Sequence, residues 1–169
     1  MTRLTHAHDG DLVVFHIGMT VRRWWRVDQW APVAAAMPRM LAELYRNQAA
    51  AQRGEEEWLG FLGATQLAGA QGPWIIQYWR SVEDLHRYAA SSAAAHLPAW
   101  RAFNRRARTS PGSVGIWHET YVVPAGGIES IYSGLKRPLG LGAVGGTVDV
   151  GRRGDRARAR LGSRVADAR

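Results

Sequence analysis

Three histidines stand where a polar ring is costly without a partner: His16 inside the apolar run DLVVFHIGMT, His118 inside VGIWHETYVV, and His96 at the head of HLPAWRAFNRR. A buried polar group needs a hydrogen bond or a cavity. An imidazole also exchanges protons near neutral pH and, when neutral, ligates metals. His118 is therefore the first candidate for an acid/base group beside bound substrate or oxygen, and His16 the second; the alternative for each is a hydrogen-bonded sheet histidine. His96 shares an apolar helical face with Trp100 and Phe103, where it can either ligate a metal or bond the helix backbone. Arg101, or Arg105, with Asn104 can hold a polar substrate group, against the plainer reading of a solvated basic face. The chain has no cysteine, which excludes disulfides, thiolate nucleophiles and Cys-ligated zinc, iron–sulfur or heme centres.

The elements that must position these groups follow from the residue pattern. Residues 11–20 read as a first strand, and Asp28 to Gln52 as a long helix with Pro32 in its first turn and a kink or break near Met37, before Pro38. EWLGFLGATQL reads as a second strand, with Gly60 and Gly63 marking a bulge or a close backbone approach. Trp74 to Trp79 reads as a third. Ser81, with Asp84 three residues later, is an N-cap signature for a helix that Pro98 should divide near Leu97. Residues 114–123 make the fourth strand, with His118 on one face and Trp117, Glu119 and Tyr121 on the other. As the first and fourth strands are neighbours in this topology, His16 and His118 are expected to share a face. The order βαββαβ predicts an α+β, ferredoxin-like sandwich. Apolar residues on both strand faces predict that a second copy of the chain covers the face away from the helices.

The expected layout is a flexible segment 1–10, one domain over 11–123, a Gly-rich extension over 124–150 and a basic, disordered tail over 151–169. The tail holds seven Arg and two Asp, so it supplies +5 of the net charge of +8 and leaves a weakly basic body. A nucleic-acid partner is not expected from that balance, nor a membrane partner, and the chain reads as cytoplasmic. Gly140 to Gly145 fits G-x-G-x-x-G but has no preceding strand and no room for a βαβ unit, so it predicts a flexible arm crossing onto a partner. Trp24 and Trp25, interleaved with arginines, suggest a membrane anchor or a base-stacking platform. The reading preferred is that these rings close the end of a pocket or pack on a partner subunit.

The segments VFHIGM, RWWRVDQWAPVAAAMPRML, QYWRSVEDLHRYA, HLPAWRAFNRR and GIWHETY resemble the antibiotic-biosynthesis-type monooxygenases, and within them the fumagillin-pathway-monooxygenase-like branch. The resemblance covers roughly residues 11 to 123. It implies a dimeric α/β barrel with a pocket between sheet and helices, acting on a small, largely apolar molecule in secondary metabolism, with O2 as a possible co-substrate. In heme-using relatives an axial histidine lies late on the second helix, which implies heme b ligated by His96 beside Trp100, with His118 or Arg101 as the distal polar group. Without a cofactor, His118 or His16 would be the base for a phenol or enol that reacts with oxygen directly. Trp24, Trp25, Phe103, Asn104 and Trp117 are expected to line the pocket. Because the superfamily's barrel hosts several functions, a heme-dependent dehydratase and a non-catalytic heme or small-molecule binding or stress protein stand as alternatives.

Overall fold

The computed structural model describes residues 2–91, 96–109 and 111–161, with the backbone alone for residues 96–99, 106, 107 and 109. The chain runs β1 (Arg3–His6), β2 (Leu12–Val21), α1 (Val27–Gln52), β3 (Phe61–Gly69), β4 (Gly72–Trp79), α2 (Val82–Ala90), α3 (His96–Thr109) and β5 (Val114–Val123). A C-terminal extension adds β6 (Tyr132–Ser133), α4 (Leu141–Gly145), β7 (Thr147–Asp149) and the short α5 (Ala157–Arg160). From β2 to β5 the order is the expected βαββαβ, and the strands form one antiparallel sheet in the order β3-β4-β2-β5, as in a ferredoxin-like fold.

Alternation along the strands sends two residue sets to opposite faces. On the helix side, Val13, Phe61, Ile75 and Trp79 pack with Leu41 and Leu44 of α1 and with Leu85 and Tyr88 of α2. Local signals place these helices. The Ser81 hydroxyl accepts a hydrogen bond from the Asp84 backbone N–H at 3.1 Å, which caps α2. The Asp84 carboxylate, almost fully buried, is held by Arg80 at 2.7 Å and Arg87 at 2.8 Å. These partners, Arg80 foremost, hold its pKa below the ordinary carboxylate value. Helix α1 is unbroken through Pro38, so of the expected kink or break the break does not occur: proline removes one ladder hydrogen bond there, and Met40, Leu41 and Leu44 bury the turns that follow.

The far face of the sheet is partly covered by the chain's own C-terminal extension. Leu12 and Tyr78 pack against Leu141, joined by Leu62, Val123 and Val144. Gly63 sits at the register shift at the start of β3, with φ +154°, and a Cβ there would lie 2.8 Å from a Val144 methyl. The glycine thus admits α4 against the strand. Gly142 is used the same way, its N–H donating to the Tyr132 hydroxyl at 2.8 Å while a Cβ would stand 2.7 Å from that ring. The glycine-rich motif is therefore a packing device on the chain's own sheet, which corrects the expectation of an arm crossing to a partner.

The ends of the chain also depart from expectation. The N-terminal segment, expected to be flexible, forms β1 between β6 and β7, with Thr5 and His6 buried. Within the basic tail, Arg160 is buried and paired with Glu129. Residues 162–169 lie outside the described residues. The missing signal is partnership: an isolated polar segment reads as disordered until a carboxylate such as Glu129 meets it in space.

His6 links the two ends. Its Nδ1 lies 2.9 Å from the Ser130 hydroxyl, and its Nε2 lies 3.5 Å from an Arg153 guanidinium nitrogen. Burial first, then the Arg153 charge and His8, lower its pKa below 6.5, against the smaller opposing pull of Asp9 and Glu129. A histidine with a depressed folded pKa contributes stability that is present above the unfolded value and lost as pH falls through the folded value. Urea midpoints of the wild type should therefore fall below about pH 6.5, and His6→Gln should remove that part of the decline. Parallel pH curves for the two proteins would reject this role.

Candidate functional site

Half of α1 is built to pack and half is not. From Met40 onward it presents Leu41 and Leu44 to the sheet, whereas from Ala31 to Pro38 it carries mostly alanines and prolines, with Val33 and Met37 as the larger side chains, and fills the space less completely. The gap is a cavity of about 300 Å³ at the end of the sheet where β2 leaves and β5 begins. Its floor is Ile17 and Met19 of β2, Ile75 of β4 and Ile116 of β5; its roof is Val33, Ala36, Met37 and Met40 of α1, with Trp100 and Phe103 of α3. The last two rings stack at 5.7 Å, and Trp100 remains 42% exposed, so it is also part of the opening. Among the described residues, Gln66 of β3, itself exposed, is the one carboxamide in the lining, beside the indoles of Trp74 and Trp100. It pairs with Ile75 across the strands, which sets it on the same face. An apolar cleft with a single carboxamide can bind and orient a small, mostly hydrocarbon molecule by one polar group.

His118 stands at the margin of this cavity. It follows Ile116 by two positions on the same strand face and lies directly opposite Ile17, both lining residues. Its ring rests 5.7 Å from Phe15 and is open to solvent. His16 is elsewhere: it pairs with Glu119 and meets Tyr121 edge-on at 5.7 Å, on the face away from the helices. The expectation that the two histidines share a face is thus corrected, since their strands are neighbours but their register differs by one residue, which reverses the face. Glu119 accepts a 2.6 Å hydrogen bond from the Tyr121 hydroxyl, raising the tyrosine pKa.

Other expected lining residues are also displaced. Trp117 covers Gly18 on the outer face, where a Cβ on that glycine would be 2.7 Å from the indole, so it does not line the cavity. Trp24 and Trp25 are 73% and 60% exposed and also lie outside the lining. Asn104 is half-buried and Arg101 exposed, and neither is a lining residue. The side chain of His96 lies outside the described residues. Sequence reasoning does not find Gln66 or Met37; the readable signal is the run of small residues in α1 facing a strand of large ones.

The donor set bears on heme. A histidine-ligated heme b needs an axial imidazole and cationic partners for its propionates. The described lining offers the thioethers of Met19, Met37 and Met40 but no imidazole, phenol or cation, so the described residues do not fit that group. Nor do three or more His, Asp or Glu converge among the described residues.

The family model described as monooxygenase af470-like matches residues 12–141. Monooxygenase af470 of Aspergillus fumigatus is 30% identical over 173 aligned positions, covering 96% of this chain, which spans 57% of that protein's length. Among solved structures, the chain is similar to SnoaB of Streptomyces nogalater, described as a cofactor-independent oxygenase, at 18% identity and a TM-score of 0.43, covering 66% of this chain and 91% of the other. It is also similar to a possible oxidoreductase of Bacteroides thetaiotaomicron, at 9% identity and a TM-score of 0.45, over 67% of this chain and 98% of the other.

Proposed function

Since the chain belongs to the monooxygenase af470-like family, we propose that it is a small-molecule monooxygenase whose largely apolar substrate lies in the cavity between the sheet and the α1 and α3 helices. The observation that carries this reading is the pairing of a largely apolar cleft, with the Gln66 carboxamide in its lining, and an accessible imidazole, His118, at its edge. In this reading Gln66 orients a hydroxyl or carbonyl of the substrate. His118 removes a proton from an electron-rich phenol, enol or activated methylene, and the resulting anion transfers electrons to O2. For a methylene the steps balance as one methylene and one dioxygen giving one carbonyl and one water. The carbanion carbon bonds to dioxygen and the proton on His118 passes to the distal oxygen, giving a hydroperoxide; His118 then takes the second C–H proton, whose electron pair forms the carbonyl as the O–O bond breaks, and that proton joins the departing hydroxide as water. The low polarity of the cleft supports the chemistry by excluding water from the anion. The reading includes a homodimer, supported by Trp117 and Tyr121, which stay exposed on the outer face beyond the extension.

Oxygen uptake by the purified protein, measured over a panel of apolar phenols, enols and activated ketones, tests the proposal. The expected result is substrate-dependent uptake without added heme, with isotopically labelled dioxygen delivering its label to the product. No uptake with any class removes the oxygenase reading, and uptake that appears only after heme addition removes the cofactor-free route. A monomeric mass by light scattering on the same sample removes the homodimer.

A further inference from the structure

We propose that the β2–α1 loop, with Arg22, Arg23, Trp24 and Trp25 at its centre, is a docking surface for an anionic phospholipid bilayer. Trp24 is 73% exposed, Trp25 60% and Val27, the first residue of α1, 52%, so the loop and the helix start together set three apolar side chains in water. The loop is held in that state. The Arg26 N–H donates to the Arg23 carbonyl at 2.9 Å, the Trp30 indole N–H donates to the Trp24 carbonyl at 2.8 Å, and the Arg22 N–H donates to the Ser113 carbonyl at 3.1 Å. The Arg26 guanidinium is engaged by both Asp28 carboxylate oxygens. Arg22 and Arg23 are exposed and have no carboxylate partner among the described residues. Indoles settle at the boundary between headgroups and acyl chains, and neighbouring free cations are drawn to anionic headgroups.

Position in the fold favours the same occupant. The loop joins two elements that line the cavity, β2 through Met19 and α1 through Pro32. Seating it on a bilayer would bring the cavity end toward hydrocarbon and give an apolar substrate a route that avoids water. That route rests on the cavity reading above; the binding itself does not. Single-stranded nucleic acid is the weaker match. It needs ring faces along a basic groove, whereas Trp24 and Trp25 meet edge-to-face at 86°.

Co-sedimentation of the full chain with vesicles tests the proposal. One set is phosphatidylcholine alone, the other phosphatidylcholine with about 30% phosphatidylserine. Binding should be at least ~10-fold tighter to the anionic set at low salt and should weaken as salt rises. Trp24→Ser with Trp25→Ser should reduce it at least ~10-fold, and Arg22→Glu with Arg23→Glu should abolish the preference for anionic lipid. Circular dichroism confirms that the variants fold. Absence of vesicle binding, unchanged binding by the Trp variant, or stronger binding to a single-stranded oligonucleotide would each overturn the proposal. So would a non-binding wild type whose dimer is lost in the Trp variant, which would assign the loop to contact between copies. None of these outcomes depends on turnover, so failure here is separate from failure of the oxygenase reading.

Discussion

Replacement of His118 by alanine is expected to lower substrate-dependent oxygen uptake by about 100-fold or more, the usual loss on removing a general base. The ring is solvent-exposed, so the variant should fold with nearly unchanged stability. Its neighbours Ile116 and Ile17 line the cavity, and the substitution leaves both side chains in place. The loss should therefore fall mainly on kcat, with KM little changed. Oxygen-electrode kinetics on the two proteins check this. Undiminished turnover in the variant would move proton abstraction away from His118.

The largest effect on stability should come from Trp79. Its side chain is fully buried at the meeting of β4, α1 and α2, 5.4 Å from Phe61 and 5.7 Å from Tyr88 between ring centroids. Its indole N–H donates to the Gln77 side-chain oxygen at 2.9 Å. Trp79→Ala removes an aromatic ring from a closed core and should cost about 3–5 kcal/mol. The stranded Gln77 oxygen, itself buried, adds about 1 kcal/mol or more. Trp79→Phe keeps most of the packing and should lose much less. Denaturant unfolding followed by circular dichroism measures both. A loss below about 1 kcal/mol for the alanine variant would mean that this cluster does not hold the helices to the sheet. The consequence reaches the site, because the Leu41–Leu44 end of α1 anchors the helix whose other half roofs the cavity.

Much of the scaffold is legible in the sequence because it rests on local rules. The Ser81 cap, the irregularity at Gly63 and the alternation along β5 each follow from a few adjacent residues; the helical region divides as expected and Pro98 lies early in α3, but α2 ends at Ala90, not near Leu97. The pairing of sides is harder. The pattern puts His16 and His118 on neighbouring strands, as the structure does, yet a one-residue difference in register, with Ile17 and not His16 opposite His118, sends them to opposite faces. For Trp24 and Trp25 the pattern favours burial because large rings usually pack, and no local signal marks a ring that the fold leaves in water.

The sequence by itself determined the βαββαβ order, the absence of cysteine chemistry and the family resemblance, since these depend on periodicity, composition and short motifs. Only the tertiary structure decided that α1 roofs a cavity over Ile17, Ile75 and Ile116, that Gln66 supplies its carboxamide, and that Leu141 and Val144 of the same chain cover part of the sheet's far face. The physical reason is distance along the chain. Pattern and capping act over a few residues, whereas cavities, register and face-covering contacts arise between segments tens of residues apart, where packing volume chooses the partner.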